Sequence, residues 1–185
     1  YDLKLYNRDP ETRLAPPELK ALHPMEIAPV ITDGDLVLGE SGAIMDYIVG
    51  KYAPETELVP GPDHPDFAQH LYWYHFANAT LMTNGMMAIA VGAVGAEMPP
   101  PLMKRVTNAW AAIERQLGET DYFGGANLTT ADIMLGFSLT TARAFNDMSI
   151  DHMPNLKAYL QKIGTREAYQ RAMAKAEPGF PPKLN

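Results

Sequence analysis

The sequence predicts two structural units, a small mixed α/β unit followed by an all-helical one. Residues 29–38 carry a hairpin pattern, in which two β-rich runs flank a turn dipeptide. Residues 53–65 are proline-rich and show no hydrophobic period, and beyond them apolar residues recur at helical spacing. We therefore expect an α/β unit over residues 1–53, a linker over 54–65 and an all-helical domain over 66–185.

The α/β unit opens with a strand-like run. Tyr1, Leu3 and Leu5 alternate with more polar neighbours, which predicts a short, half-buried strand. A charged loop follows. The Pro16-Pro17 pair then begins a brief helix, because proline is tolerated in a first helical turn, and we expect that helix to continue through Leu22.

The hairpin and the helix after it are the clearest local signals. Asp33-Gly34 is a dipeptide suited to the positive φ of a two-residue turn. Ser41 begins a helix and is suited to cap it, and Ala53-Pro54 or Gly50 ends it. One face of this helix carries apolar residues at i, i+3 and i+4 spacing, namely Ile44, Tyr47, Ile48 and Tyr52.

The all-helical domain contains five predicted helices. The first two cover residues 67–94 and 102–117, and the last two cover 156–163 and 166–176. The third begins at Thr129, with Asp132 three residues on in a capping-box arrangement. We expect Gly85 and Gly92 to be bends or close-packing points, and the proline-rich tail from residue 178 to lie on the surface.

Composition excludes several classes of function. A net charge of -7 and a pI near 5.2 disfavour a nucleic-acid or anionic-membrane partner, which would select a basic surface. The chain has 0 cysteines, which excludes a disulfide scaffold, a thiolate metal site and a cysteine nucleophile within these residues. No apolar run reaches the ~20 residues of a membrane span. The composition is compatible with a cytoplasmic location, which we expect.

Three motifs in this order and spacing make the chain resemble the cytosolic glutathione transferase family. APVI at residues 28–31 is similar to the family's strand entry, where the X-Pro bond is cis, and ESGAI at residues 40–44 is similar to its strand-to-helix junction. NLTTADI at residues 127–133 is similar to the capping box of its helical domain. The resemblance implies an α/β plus all-α fold, a thioredoxin-like N-terminal domain followed by the family's all-helical C-terminal domain. It also leads us to expect that a first strand and helix precede Tyr1.

The function that the resemblance implies is conjugation of the glutathione thiolate to small hydrophobic electrophiles, in detoxification. Glutathione is then a consumed co-substrate, no metal is expected, and the protein is expected to be a homodimer. Glutathione-dependent peroxidase, disulfide reductase or ether-cleavage chemistry is an alternative on the same fold, and a non-catalytic binding protein is another. In the family a residue near the end of the first strand interacts with the thiol. Its identity discriminates these functions, and we name no catalytic residue.

The resemblance implies that five residues bind glutathione: Ile27, Ala28, Pro29, Glu40 and Ser41. Ala28, ahead of the cis bond at Pro29, would pair its backbone with the cysteinyl residue. Ser41 would offer its hydroxyl and backbone N–H to the γ-glutamyl carboxylate, and Glu40 would receive the γ-glutamyl ammonium. The alternatives are a turn proline without a ligand, an ordinary N-cap at Ser41 and a solvated acid at Glu40.

One part of this pattern departs from the family. Many relatives carry Gly-Lys just before the X-Pro pair, and that lysine reaches the glycyl carboxylate of glutathione. Here Glu26 and Ile27 stand at those positions. Arg8 or Arg13 in the preceding loop can compensate, although for each arginine alone a solvated loop charge is the better interpretation.

The acceptor substrate is expected against the long first helix of the helical domain. Tyr74, Asn78 and Met82 recur at i, i+4 and i+8 and are candidates for the wall of an acceptor pocket, with Trp73 projecting at a neighbouring angle. A methionine-rich neighbourhood suits an adaptable apolar pocket. Helix packing or a dimer contact is the competing interpretation, and the favoured one.

The remaining constellations predict no further site. The 5 histidines lack metal-ligand spacing, and we expect each to be structural or solvent-facing: His23, His64, His70, His75 and His152. Thr129 and Asp132 are expected to serve folding rather than catalysis. Gly124-Gly125 lacks the following lysine of a phosphate-binding loop.

Overall fold

The computed structural model describes residues 1–145 and 148–185. The chain divides into two compact units, Tyr1–Thr56 and Glu57–Asn185. The first is mixed α/β and the second is helical, which confirms the predicted fold class. Within the described residues, every helix is too short or too polar to span a bilayer.

The first unit is built on one antiparallel hairpin. Its strands are β1, Val30–Asp33, and β2, Leu36–Gly39, which pair along their whole length. The predicted hairpin is confirmed, but the two turn residues are Gly34 and Asp35, one position later than predicted. Gly34 takes the positive φ of 59° at the first turn position, where glycine is unstrained, so Asp33 stays in the ladder.

Two helices complete the first unit. The short α1, Pro17–Lys20, ends before the predicted Leu22. The second, α2, spans Ser41–Tyr52 and ends just before Ala53, at one of the two predicted positions. Within α2, Ile44 is the one buried residue, and Ile48 and Tyr52 are 44% and 61% exposed. The apolar stripe of α2 is therefore buried near the start of the helix and exposed toward its end.

The predicted strand at residues 1–6 is wrong. This segment has no regular secondary structure, and Tyr1 and Leu5 are 90% and 64% exposed. Alternating apolar and polar side chains match the two faces of a strand, but a strand also needs a neighbour that supplies ladder hydrogen bonds. No described residue supplies a ladder to residues 1–6.

The second unit is formed by helices. The helix α3, Phe67–Phe76, continues without a break into a π-helical segment, Ala77–Met82, and then into α4, Thr83–Ala93. The predicted long helix is confirmed in extent, but a wider turn interrupts it. The other elements are α5, Pro100–Glu119, α6, Thr130–Leu139, a 3₁₀ helix, Thr141–Phe145, α7, Pro154–Gly164, and α8, Glu167–Ala176.

The two glycines of the long helix are not close-packing points. A Cβ added at Gly85 or Gly92 would meet no atom within 4 Å. The irregular turn lies earlier, in the π-helical segment Ala77–Met82. The helix α5 begins at Pro100, ahead of its predicted start, because a first helical position does not need the N–H that proline lacks.

The helix α6 lies in the core of the second unit. Ala131, Leu135 and Leu139 are 0% exposed, and α6 packs against α3. The predicted capping box at its start is confirmed. Thr129 Oγ1 accepts a hydrogen bond from the Ala131 N–H at 3.3 Å, and the Asp132 carboxylate accepts one from the Thr129 N–H at 2.9 Å. This network anchors the loop before α6 to the helix.

The carboxyl-terminal tail is tied to the helical unit by a buried arginine. Arg143, 1% exposed, donates from Nη1 to the Leu139 carbonyl at 3.2 Å and from Nη2 to the Asn185 carbonyl at 2.6 Å. The side chain of Leu184 lies over Gly164, where a Cβ would collide with it. Several backbone carbonyls thus surround the guanidinium and hold the end of the tail.

Candidate functional site

The open end of the hairpin brings the predicted glutathione-binding residues together. Val30 pairs with Gly39, so the segment before β1 and the segment after β2 leave the sheet next to one another. These two segments contain Ile27, Ala28, Pro29, Glu40 and Ser41. The candidate site is therefore one continuous surface of the first unit.

The segment before β1 presents exposed backbone. The Ala28–Pro29 peptide bond is cis, as the resemblance led us to expect. Ala28 and Pro29 are exposed, and Ile27 is 45% exposed. Among the described residues, no hydrogen bond uses the N–H or C=O of Ala28. These groups are available to an extended ligand that pairs with the chain as a strand does.

The segment after β2 presents a strained turn and a helix N-terminus. Glu40 has φ 68° and ψ 117°, a conformation that costs a non-glycine residue about 1–3 kcal/mol. Its carbonyl accepts the first helical hydrogen bond, from the Ile44 N–H at 2.9 Å, so Glu40 is the N-cap of α2. Ser41 is the first residue inside the helix.

The interpretation of Ser41 as an ordinary N-cap is therefore wrong. Glu40 occupies the capping position, and no side chain caps α2. Within the described residues, the hydroxyl and the backbone N–H of Ser41 have no hydrogen-bond partner. The N-terminus of a helix attracts anions, because its unpaired N–H groups and the helix dipole carry partial positive charge. Ser41 adds a hydroxyl donor to that position.

His23 packs against Gly39, the residue that precedes Glu40. A Cβ at Gly39 would lie 3.1 Å from His23 Nε2, so the imidazole packs directly on this buried glycine. His23 Nδ1 accepts a hydrogen bond from the Met25 N–H at 3.3 Å, which fixes the orientation of the ring. His23 thus packs against the end of β2, where Glu40 begins its turn.

The structure reveals a polar cluster at the opposite end of the hairpin that sequence reasoning missed. We call it the Asp33 cluster, and it consists of Asp33, Tyr47, Lys51 and Tyr52. One carboxylate oxygen of Asp33 accepts from Tyr47 Oη at 2.6 Å, from Lys51 Nζ at 2.6 Å and from Tyr52 Oη. Lys51 Nζ also donates to Tyr47 Oη at 2.7 Å.

The charges of the cluster are mutually stabilised. The hydrogen bond from Lys51, followed by those from Tyr47 and Tyr52, holds the pKa of Asp33 well below its usual range. The hydrogen bond to Asp33 raises the pKa of Lys51, and Asp33 also raises the pKa of Tyr52. The 47/51 spacing places two of these residues on one face of α2. The sequence shows no link between that face and Asp33, which we assigned only to the turn.

The cations near the site are partly engaged elsewhere. Arg8 Nη1 donates to the Arg13 carbonyl at 3.0 Å, which closes the loop that contains both. Lys20 Nζ lies 3.6 Å from Glu26 Oε2, so that carboxylate is paired within the first unit. Arg8 therefore serves its own loop.

The acceptor-pocket candidates differ in accessibility. Tyr74 is 8% exposed, and its ring lies 5.8 Å from the ring of His70. Asn78 and Met82 are half-buried and lie in the π-helical segment, whose i→i+5 hydrogen bonding breaks the regular i+4 stripe. Trp73 does not project toward a ligand: it is 3% exposed and its ring lies 5.0 Å from that of Phe123. Trp73 belongs to the core.

Thr129 and Asp132, the hydroxyl and acid at the start of α6, have a folding role. Asp132 is 3% exposed and accepts hydrogen bonds from Phe123, Thr129 and Tyr159. Burial raises the pKa of Asp132, while these hydrogen bonds oppose the shift. Among the described residues, no three His, Asp or Glu side chains converge in a way that suits a metal ion.

Comparison with known families matches both units. The profile described as "Glutathione S-transferase, N-terminal domain" matches residues 1–56. The profile described as "Glutathione S-transferase, C-terminal domain" matches residues 74–167.

Individual relatives agree with the profiles. Glutathione S-transferase 3 of Zea mays is 31% identical over 169 residues, which cover 85% of this chain and 75% of that protein. Glutathione S-transferase 3 of Schizosaccharomyces pombe is 25% identical, with 96% of this chain and 78% of that protein covered. The crystal structure of a glutathione S-transferase from Actinobacillus pleuropneumoniae superposes with a TM-score of 0.82 at 30% identity, covering 96% of this chain and 81% of that one.

Proposed function

The chain belongs to the glutathione S-transferase family, and from that premise we propose that it conjugates the thiolate of glutathione to small hydrophobic electrophiles. The observation that carries the proposal is that Ala28 and Ser41, at the open end of the hairpin, both present hydrogen-bonding groups without a partner among the described residues. The Ala28 backbone and the Ser41 hydroxyl and N–H are free of partners within the described residues. Both kinds of group suit a short anionic peptide.

Glutathione binding in this proposal uses two kinds of contact. The Ala28 N–H and C=O pair with the cysteinyl backbone as an added strand. Ser41 donates its hydroxyl and N–H to the γ-glutamyl carboxylate at the start of α2, where the helix dipole adds to the attraction. Glu40, exposed beside it, accepts the γ-glutamyl ammonium. The strained backbone of Glu40 aims this residue and Ser41 at the same ligand.

The chemical step requires the thiolate form of glutathione. A free thiol with a pKa of about 8.5 is mostly protonated at neutral pH, so the enzyme must stabilise the charged sulfur. The thiolate then attacks the electrophilic carbon of the acceptor, a carbon–sulfur bond forms, and the leaving group departs or the acceptor takes a proton. No residue among those described is assigned to thiol activation, and the proposal rests on glutathione binding.

The acceptor site is proposed along the π-helical segment. Asn78 and Met82 remain the accessible candidates there, because Tyr74 is buried against His70. A methionine side chain is flexible and polarisable, so it adapts to apolar acceptors of different shape. The roles in detoxification and the cytoplasmic location expected from the sequence belong to this same proposal.

We further propose that the protein is a homodimer in which α4 contributes to the interface. Of the residues in α4, only Asn84 is buried, and the apolar side chains of Met86 and Ile89 are 61% and 48% exposed. Val94, just after the helix, is 78% exposed. Exposed apolar side chains of this kind, close together in the chain, are typical of a protein–protein contact.

A calorimetric titration with glutathione tests the proposal. We expect saturable binding to the wild type and, for Ser41→Ala, about a tenfold or larger loss of affinity, because a hydroxyl that donates to a carboxylate is lost. Glu40→Gln weakens binding of the ammonium by a smaller factor. Ser149→Ala and Glu55→Gln, which change the same residue types elsewhere, leave the affinity unchanged.

The outcomes separate the candidate functions. A wild type that does not bind glutathione, or a Ser41→Ala variant with wild-type affinity, overturns the proposed site. Binding without turnover of a chromogenic aryl halide favours the non-catalytic alternative. Turnover of that electrophile at a rate that depends on glutathione concentration supports the transferase.

A further inference from the structure

The packing of α2 in the first unit is centred on one fully buried side chain. Ile44 is the one residue of α2 that is buried, at 8% exposed. Met45, Tyr47 and Val49 are half-buried, and Ile48 and Tyr52 are 44% and 61% exposed, so the packing of α2 weakens toward its end. A second restraint at that end would fix the direction of the helix axis.

The Asp33 cluster supplies that second restraint at the far end of the helix. Asp33 is the last residue of β1, next to the turn, whereas Ala28 and Ser41 lie at the open end of the hairpin. From Ser41, α2 runs through 12 residues, about 18 Å at the usual rise of an α-helix, to reach Lys51 and Tyr52. Both of these side chains then bind the carboxylate of Asp33.

The helix is thus held at both ends against the same hairpin. At its start the chain continues directly from β2 through Glu40, and at its end three donors converge on one oxygen of Asp33. Lys51 Nζ also lies 5.1 Å from the ring centre of Tyr47 and 5.2 Å from that of Tyr52, so the ammonium is surrounded by the cluster. Rotation or sliding of α2 breaks several of these contacts together.

We propose that the Asp33 cluster is a positioning device for the glutathione site. It fixes the axis of α2 on the hairpin, and thereby the placement of Ser41 relative to the Ala28 backbone. The inference rests on the proposed function, in which these two residues hold the two parts of one ligand. Because a ligand that spans two contacts needs both at the correct separation, a small tilt of α2 weakens binding even though no ligand contact is removed.

A purely stabilising role makes a different prediction. Ion pairs and hydrogen bonds between exposed side chains add little to folding stability, and Lys51 is 48% exposed in its side chain. If the cluster served stability alone, its removal would leave glutathione binding unchanged. If it positions α2, glutathione affinity falls while the unfolding midpoint changes little.

The test compares Asp33→Asn with Asp35→Asn. Both variants remove one negative charge from the turn end of the hairpin, but no hydrogen bond or ion pair of the described residues uses the Asp35 side chain. We expect Asp33→Asn to raise the KM for glutathione about five- to tenfold. This factor corresponds to the loss of about one hydrogen bond to the ligand, which is what a misplaced Ser41 would cost. The kcat and the KM for the electrophile stay at wild-type values, as does every parameter of Asp35→Asn.

Variants of the lysine give a second, independent measurement. Lys51→Met removes the donor and the charge and is expected to raise the KM for glutathione as Asp33→Asn does. Lys51→Arg keeps both and retains most of the wild-type affinity. Equal KM values for Asp33→Asn and Asp35→Asn, or for Lys51→Met and Lys51→Arg, overturn the positioning role.

Amide hydrogen exchange separates this inference from the proposed function. If the wild type does not bind glutathione, the proposed function fails, and the cluster is then judged by the exchange rates of the backbone amides of residues 44–48. Asp33→Asn should speed their exchange because α2 is less restrained, and Asp35→Asn should not. Identical exchange rates in the two variants overturn the inference whatever the ligand result.

Discussion

The carboxylate of Asp132 offers a quantitative test of how the helical unit is held together. Its two oxygens have separate partners. Oδ1 accepts from the Phe123 N–H at 2.9 Å and from Tyr159 Oη at 3.0 Å. Oδ2 accepts from the Thr129 N–H at 2.9 Å and from Thr129 Oγ1 at 3.2 Å. Asp132 and its three partners are all buried or nearly so, which makes the loss of an acceptor costly.

Asp132→Ala leaves four donors without an acceptor, namely the Phe123 and Thr129 N–H groups and the hydroxyls of Thr129 and Tyr159. Each unsatisfied buried group costs about 1–3 kcal/mol. Part of this cost is offset because the variant no longer buries a carboxylate. We therefore expect a net loss of about 3–5 kcal/mol in the free energy of unfolding. Asp132→Asn keeps an oxygen for Phe123 and Tyr159 but places an NH₂ group against the Thr129 N–H. Its expected loss is about half as large.

The assay is urea denaturation followed by far-ultraviolet circular dichroism. Asp63→Ala, which removes an exposed aspartate of the same unit, is the control and should change stability by less than about 0.5 kcal/mol. Tyr159→Phe removes only one donor and should cost about 1 kcal/mol. The reasoning is refuted if Asp132→Ala loses less than about 1 kcal/mol, or if the alanine and asparagine variants are equally unstable.

Three further predictions concern packing, pH and association. Gly124→Ala places a Cβ onto the Thr129 side chain and should destabilise by about 1–3 kcal/mol, whereas Gly92→Ala meets no atom within 4 Å and should stabilise α4 by about 0.5–1 kcal/mol; urea unfolding measures both. The pKa of Asp33 is lowered in the folded state, so wild type should have a small stability advantage over Asp33→Asn above the unfolded-state pKa of about 3.9. This advantage should vanish as the pH falls through the lowered value. Ile89→Glu should shift the protein from dimer to monomer in sedimentation velocity, because it places a charge in the exposed apolar surface of α4, and an unchanged sedimentation coefficient would contradict the proposed interface.

The hairpin and α6, whose sequence motifs lie entirely within a few neighbouring residues, were predicted correctly. The hairpin depends on a glycine with positive φ between two β-rich runs, and α6 depends on a threonine and an aspartate three residues apart. In both cases the residues that interact are neighbours in the chain. The spacing alone therefore contains the necessary information.

The predictions that failed depended on partners distant in the chain. The alternation at residues 1–6 matches a strand, but strand formation requires a ladder that no described residue provides. Trp73 and Tyr74 are neighbours on a helix, and both are buried, at 3% and 8% exposed. Helical spacing did not predict this for Trp73, because its partner, the ring of Phe123, lies 50 positions later in the chain. No residue type at positions 77–82 marks the π-helical segment, so the sequence did not predict its wider turn.

By itself, then, the sequence determined the two-unit organisation, the hairpin, the capping box of α6 and the three motifs of the family, because short-range spacing and turn chemistry specify them. Only the tertiary structure decided that Glu40 rather than Ser41 caps α2, and that Asp33 binds Tyr47, Lys51 and Tyr52. Those outcomes depend on backbone angles and on contacts across 14 to 19 positions of the chain. Such contacts form only when the helix has folded back onto the hairpin.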